Sequence, residues 1–280
     1  MKLPPWLKTK SIIGKHHTKQ ILRSYGLSTV CEEARCPNRG QCFSKPTATF
    51  MILGDRCTRN CGFCSVTPDS PQPPDPTEPE RVAKAAAEMG LRYVVITSVT
   101  RDDLPDGGAS QFRDTILKIR QFLPQAKVEV LTPDFRGNTE ALKTVLEASP
   151  DVFNHNVETV PRLYPKVRPQ ADYMRSLMIL KKAKEIAPQV PTKSGLMVGL
   201  GETFDEVVDV MKDLRECGCD ILTIGQYLQP RKENLPVVEY IHPDVFEEYK
   251  RRAYSIGFKY VASSPLVRSS MNAEQMYRQD

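Results

Sequence analysis

The chain predicts an α/β fold: a partial (βα)6 TIM-type barrel with N-terminal and C-terminal extensions. Strand-like apolar runs alternate with helix-like segments six times, the signature of a parallel sheet wound by right-handed crossovers. Polar or glycine residues follow nearly every strand: Cys57, Ser98, Thr132, Asn154, Gly199 and Gln226. In barrels the C-terminal strand ends form the active-site face, so this placement favours a barrel over a doubly wound sheet. Size agrees, since 280 residues, 40% of them hydrophobic and 26% charged, suit one large α/β domain with extensions or two small domains.

The elements follow in order. The run ATFMILGD (48–55) is the first strand and leads directly to Cys57. Prolines in 68–80 make a stiff, extended connection. Thr77 is the expected N-cap of a helix over 77–89, with Glu78 and Glu80 in its first turn, where the helix dipole favours anions. Strands are expected over 93–99, 127–132, 151–158, 191–200 and 220–225, with a short late one over 258–263. Helices are expected between them over 109–122, 138–147, 172–186, 204–216 and 244–255. The expected divisions are an extension over 1–46, the barrel over 47–262 and a second extension over 263–280.

Composition narrows the partners. The net charge of +5 arises from 39 basic and 34 acidic residues interspersed along the chain. That balance suits an acidic protein partner, and no basic segment interleaved with aromatics argues for nucleic acid. No apolar run approaches the roughly 18–20 residues of a membrane span. The basic stretch from Lys8 to Arg23 reads as a solvated terminal helix. No secretory signal peptide is seen, which points to a reducing, cytoplasmic setting.

The cysteines carry the chemistry. Cys57, Cys61 and Cys64 stand in CTRNCGFC, three thiols in one short loop. A four-iron cube takes one ligand per iron, so three thiolates leave one iron open to a small molecule. Structural zinc favours paired Cys-x2-Cys units or a Cys/His pair, which this spacing matches poorly. A second triad, Cys31, Cys36 and Cys42, lies just upstream. Disulfides remain open on parity, although a chain of this size buries its own core without staples. Cys217 and Cys219 read as small hydrophobes at a helix end.

These residues carry a family likeness. CTRNCGFC after a first strand resembles the cluster loop of radical S-adenosylmethionine enzymes, with Phe63 where that superfamily often has an aromatic. VCEEARCPN (30–38), ITSVTRDDLPDGGA (96–109), NHNVET (154–159), KSGLMVGLGE (193–202) and Arg268-Ser269-Ser270 narrow the likeness to the lipoyl synthase family, from Leu27 to Ala273. The second triad, its distance from the first and the terminal Arg-Ser-Ser are the specific features.

The resemblance implies two 4Fe–4S clusters and S-adenosylmethionine as cofactors. Cys57, Cys61 and Cys64 would hold the cluster whose open iron binds S-adenosylmethionine, releasing a 5′-deoxyadenosyl radical. Such a radical is what abstracts hydrogen from an unactivated methylene. Cys31, Cys36 and Cys42 would hold an auxiliary cluster, with Ser270 favoured over Ser269 as its oxygen ligand. An oxygen ligand is less suited to iron–sulfur ligation than thiolate, which fits a cluster that must come apart. That cluster would supply the sulfurs inserted at C6 and C8 of a protein-bound octanoyl chain. Implied partners are octanoylated lipoyl carrier domains (2-oxoacid dehydrogenase E2 subunits, glycine cleavage H protein), an electron donor such as ferredoxin or flavodoxin, and an iron–sulfur carrier for rebuilding. Met271, where a tyrosine is common, and Phe43, where tryptophan is expected, depart from the pattern and bear on the residues around the ligands.

By the same likeness Asn156 and Glu158 would reach S-adenosylmethionine. Thr97 and Ser98 line the same pocket or cap the following turn. Glu202 in GLGE (199–202) stands near the cofactor's polar groups, and the full phosphate-loop glycine fingerprint is missing. Lys193 and Ser194 open a strand, Lys193 being a pocket residue or a salt-bridged lysine. His155 reads as a structural hydrogen-bonding residue, and His16, His17 and His242 as surface residues. The 101–103 loop (Arg101, Asp102, Asp103) is charged, either solvated or above the site. Arg168 meets a carboxylate or a surface partner. Competing functions are a biotin synthase-like or methylthiotransferase-like enzyme, a non-catalytic iron–sulfur protein and a zinc-binding module.

Overall fold

A computed structural model describes residues 2–8, 17–44 and 49–277. His16 and Ala48, placed above on the surface and in the first strand, lie outside the described residues. The chain divides into two compact units: an N-terminal one of Thr9–Arg59 with Ser65–Phe153, and a C-terminal one of Met1–Lys8, Asn60–Cys64 and Asn154–Asp280. Among the described residues no helix is long and apolar enough to cross a membrane.

The N-terminal unit opens with α1 (His17–Ser24), β1 (Ser28–Thr29), α2 (Val30–Glu33), α3 (Arg39–Ser44), β2 (Thr49–Ile52), β3 (Arg56–Cys57) and β4 (Thr67–Pro68). It continues with α4 (Glu78–Glu88), β5 (Tyr93–Ser98), α5 (Ala109–Phe122), β6 (Lys127–Leu131), α6 (Thr139–Glu147) and β7 (Val152–Asn154). The sheet order runs β1-β2-β5-β6-β7. Strands β2, β5 and β6 are parallel, with Thr49 opposite Val95 and Tyr93 opposite Lys127, while β1 pairs antiparallel on β2. Phe50, Ile52, Val94, Ile96, Val128 and Val130 are completely buried. Strands covered on both faces read as near-continuous apolar runs for this reason.

Two local expectations change. Thr77 already has helical angles (φ −88°, ψ −15°), so its hydroxyl does not cap α4. Asp75 binds there two residues earlier, accepting from the Thr77 N–H at 2.8 Å and hydroxyl at 2.7 Å. An N-cap needs extended angles, which Thr77 lacks. Helix α1 is anchored rather than solvated: Ile21 and Leu22 are buried, and the Thr18 hydroxyl donates to the Phe43 carbonyl at 3.3 Å. Within the described part of the basic stretch, 17–23, one face is buried and the other exposed. Phe43 itself is buried.

The C-terminal unit adds α7 (Tyr164–Val167), α8 (Tyr173–Ile186), β8 (Thr192–Val198), α9 (Phe204–Glu216), β9 (Ile221–Gln226), α10 (Pro243–Ile256), β10 (Tyr260–Ser263) and α11 (Ala273–Tyr277). Strands β8, β9 and β10 are parallel, with Lys193 and Tyr260 both opposite Ile221. Cys217 ends α9 and Cys219 is fully buried after it, as small hydrophobes would be. The strand expected over 151–158 stops at Asn154. Glu158 adopts φ +66°, a left-handed conformation rare outside glycine, and bridges singly to Leu196. The chain turns there instead of extending.

A capping box opens α9. The Thr203 hydroxyl accepts from Glu206 N–H, and the Glu206 carboxylate accepts from Thr203 N–H and from Arg162. The Arg162 and Thr203 bonds pull the Glu206 carboxyl down to about 2. The folded value lies below the ordinary 4.5, so the contribution is complete above that value and fades as pH falls toward 2. Glu206→Gln is expected to cost about 1 kcal/mol at pH 7, discounted because Arg162 is half exposed. Thermal melts of both proteins should converge as the buffer is taken from pH 7 to pH 3. A gap that does not narrow would refute the assignment.

Candidate functional site

The N-terminal unit holds Cys57 at the end of β3, half-buried. Its sulfur accepts from two backbone groups, the Arg59 N–H at 3.4 Å and the Thr100 N–H at 3.3 Å. Such donors stabilise negative charge on a ligand sulfur and tune a metal centre. Thr58 is tied to the same turn, its N–H and hydroxyl donating to the Thr100 carbonyl at 3.1 and 2.9 Å. Arg59 anchors the loop from within. It is buried and forks onto Asp102 (2.7 and 2.9 Å) and Asp134 (3.1 and 2.6 Å). Burial works against its charge, but the two carboxylates outweigh that and hold the guanidinium more firmly protonated than usual. Asp102 is therefore an ion-pair partner, and Arg101, 1% exposed and bound to Asp103 at 2.8 Å, is buried. The 101–103 loop is pinned rather than freely solvated.

At the end of β5 the two candidate hydroxyls part ways. Thr97 donates to the Leu131 carbonyl at 3.0 Å, a bond within the sheet. Ser98 Oγ is buried with no partner among the described residues. An orphaned buried hydroxyl fits a group that a ligand would satisfy.

The second triad is local to this unit. Cys31 lies in α2, Cys36 in the turn after it and Cys42 in α3. The Thr29 hydroxyl caps α2 by accepting from Glu32 N–H, which fixes the helix turn that carries Cys31. Burial above all, with smaller contributions from Cys36 and Cys42, pushes the Cys31 thiol up to about 12 against the pull of Thr49. Three thiols are soft donors of the kind that iron–sulfur clusters take, so the chemistry of the donor set suits such a cluster. No cysteine forms a disulfide. Among the described residues no three His, Cys, Asp or Glu side chains converge as they would on one ion.

The C-terminal unit holds Cys61, Phe63 and Cys64, all half-buried. Their loop is clamped by a segment the sequence did not single out. The Asn234 amide donates to the carbonyls of Gly62 (3.3 Å) and Cys64 (2.8 Å), and the Leu235 N–H donates to Gly62 (2.9 Å). Tyr227 Oη donates to the Leu235 carbonyl at 2.7 Å, and burial with the nearby Cys64 raises its pKa to about 12. No motif marks Asn234, because its role depends on where a long loop returns.

Asn156 and Glu158 come together, Asn156 Nδ2 donating to Glu158 Oε1 at 3.2 Å. Loss of surrounding water raises the Glu158 carboxyl against the opposing pull of Arg168 and Asn156. Arg168 is buried rather than at the surface and donates to the carbonyls of Asn156 (3.1 Å) and Val157 (3.2 Å). Its Nε is buried with no partner among the described residues, a vacant donor suited to a carboxylate. Glu202 is turned onto its own loop, accepting from the N–H groups of Gly199 and Leu200. Burial raises its carboxyl while those amides oppose the shift. Lys193, Ser194 and His155 are buried, and the His155 N–H donates to the Lys193 carbonyl at 3.0 Å. His17 and His242 are exposed, His242 meeting Trp6 edge-on at 5.1 Å. Ser269 and Ser270 are half-buried before α11.

A family model described as the radical SAM superfamily matches residues 51–214. One described as the N-terminal domain of lipoyl synthase matches residues 1–36. Lipoyl synthase from Caldanaerobacter subterraneus subsp. tengcongensis is 58% identical over 97% of this chain and 95% of its own length. The chain belongs to the lipoyl synthase family. Lipoyl synthase from Alkaliphilus metalliredigens is 56% identical, covering 97% of this chain and 94% of its own. As a lipoyl synthase-family member the chain is a radical SAM enzyme, and the family implies a 4Fe–4S cluster and S-adenosylmethionine.

Solved structures agree on the fold. Streptococcus suis SuiB bound to S-adenosylmethionine has a TM-score of 0.61 at 12% identity, over 80% of this chain and 54% of that one. HydG, a maturase of the FeFe-hydrogenase, has a TM-score of 0.56 at 14% identity, over 96% of this chain and 75% of that one. At such identities the likeness concerns fold alone: the α/β, partial-barrel architecture of radical SAM enzymes.

Proposed function

We propose that this chain inserts two sulfur atoms at C6 and C8 of an octanoyl group on a lysine of a lipoyl carrier domain. The observation that carries this reading is the pair of cysteine triads, each one ligand short of four, on a chain of the lipoyl synthase family. Cys57, Cys61 and Cys64 would hold the cluster that meets S-adenosylmethionine; Cys31, Cys36, Cys42 and Ser270 would hold the auxiliary one. When bound, these groups supply a 5′-deoxyadenosyl radical and the sulfur.

The chain's own residues bind and orient. The Arg59 and Thr100 amides share charge with the Cys57 sulfur, and the Asn234 amide holds the carbonyls around Cys64. Arg168 Nε is a donor for the carboxylate of S-adenosylmethionine, and Ser98 Oγ is a second unspent polar group. Phe63, Thr97, Asn156, Glu158, Lys193 and Glu202 are the further proposed contacts, Thr97 and Glu202 in addition to the bonds they make to the Leu131 carbonyl and the Gly199 and Leu200 amides. Ser269 is hydrogen-bonded to Asn156, whereas Ser270 forms no side-chain hydrogen bond among the described residues. That difference favours Ser270 as the oxygen ligand. The extension over 1–46 carries the auxiliary cysteines, and the one over 263–280 carries the serine. We assign the reaction to the cytoplasm, with carrier domains of 2-oxoacid dehydrogenases or the glycine cleavage system as substrates. A flavodoxin or ferredoxin provides electrons, and an iron–sulfur carrier rebuilds the cluster.

The test is anaerobic reconstitution with iron and sulfide, then reductant and S-adenosylmethionine. 5′-Deoxyadenosine is expected, and an octanoyl-lysine peptide should gain two sulfurs as the dithiol, losing two hydrogens only on later air oxidation to the disulfide. Nucleoside release without a mass gain would defeat the substrate assignment.

A further inference from the structure

Strands β8 and β9 each lack a side chain where the segment after β10 comes close to them. A Cβ on Gly225 would stand 2.2 Å from the Val267 carbonyl oxygen and 3.1 Å from the Arg268 guanidinium. A Cβ on Gly195 would stand 2.4 Å from Thr223 Oγ1, 2.9 Å from Ser269 Oγ and 3.1 Å from Asn156 Oδ1. Neither space admits even a methyl group without displacing these atoms. Glycine here serves close approach rather than an unusual backbone angle.

Ser269 occupies the room so created. Its hydroxyl donates to Asn156 Oδ1 at 3.1 Å and accepts from Asn156 Nδ2 at 2.9 Å, with Thr223 Oγ1 at 3.5 Å. Asn156 is itself steadied by Glu158. The Met271 N–H donates to the Arg268 carbonyl at 2.8 Å, closing a turn across both serines. One serine is thus spent on the seat. The next, Ser270, has no such commitment among the described residues.

We propose that Ser269 is a positioning residue, seated by Asn156 and Thr223 in the space left by Gly195 and Gly225, which holds the 268–271 turn so that Ser270 serves as the oxygen ligand. The proposal rests on the reading of Ser270 given above. The physical need is for a preformed turn. Ordering a free terminal segment costs conformational entropy, and one weak oxygen–iron bond offsets little of it. A turn already held loses less when the ligand bond forms.

The test uses the anaerobically reconstituted full chain. Trypsin cleavage after Arg268 reports turn opening, read by mass spectrometry of the fragment starting at residue 269, and iron per chain reports cluster occupancy. Ser269→Ala is expected to speed that cut about tenfold, the loss of two hydrogen bonds, and to lower auxiliary-cluster iron. Thr223→Val, a gentler change, should speed it about threefold. The same comparison is made in a Ser270→Ala background, which removes the proposed ligand. Adding Ser269→Ala there should still speed the cut about tenfold, because the seat acts before ligation. Equal cutting rates with and without Ser269 in that background would overturn the seat. Full iron in Ser270→Ala alone would overturn the ligand reading, and with it the stated purpose of the seat.

Discussion

Cys61→Ala is expected to abolish reductive cleavage of S-adenosylmethionine, whereas Cys31→Ala should remove about half of the iron and leave cleavage intact. The two thiols stand in different settings. Cys61 lies in the loop clamped by Asn234 and Leu235, where a cluster keeping an open iron would be held. Cys31 is buried in α2, where loss of water disfavours a thiolate that no cation accompanies. Loss of one of three thiolates leaves too few ligands to keep a cube in place, so each substitution should empty its own cluster. The measurements are iron and sulfide per chain and 5′-deoxyadenosine by chromatography. If Cys31→Ala stopped cleavage while Cys61→Ala preserved it, the allocation of the triads would be reversed.

Arg59→Met should lower stability by about 3–5 kcal/mol, the cost of breaking a buried ion pair from one side. Asp134 is completely buried and would keep its charge with its guanidinium partner gone. Methionine keeps much of the apolar stem, so the loss reports the charge rather than the packing. Arg59→Met with Asp134→Asn should recover part of the loss, since the stranded carboxylate is then removed. Urea denaturation of the cluster-free proteins is the measurement. A change within 1 kcal/mol for the single variant would mean that the fork onto Asp102 and Asp134 does not stabilise the fold. Because Arg59 lies two residues after Cys57, the variant should also hold iron less firmly.

Much of this fold is legible in the sequence. Helix α5 and α9 begin and end where the apolar periodicity places them, and the strands over 93–98 and 221–226 fall within a residue of expectation. The two cysteine triads were visible because three cysteines in a short stretch are a matter of spacing alone. Thr77 and the strand over 151–158 were misread for a different reason. A cap depends on backbone angles, and a strand end depends on whether Glu158 is forced to positive φ, neither of which composition encodes.

The pattern of apolar residues was enough for the alternation of strands and helices, since burial of a repeating face is a local demand. Cysteine number and spacing were likewise enough for the class of cofactor. Arg59 in its two-carboxylate fork, Asn234 over the cluster loop and Ser269 seated against Gly195 came into view only on folding. Each depends on residues tens of positions apart arriving within 3 Å or so of one another. Hydrogen bonds and close packing act over that short range, and no linear spacing reveals which distant chain segments will meet.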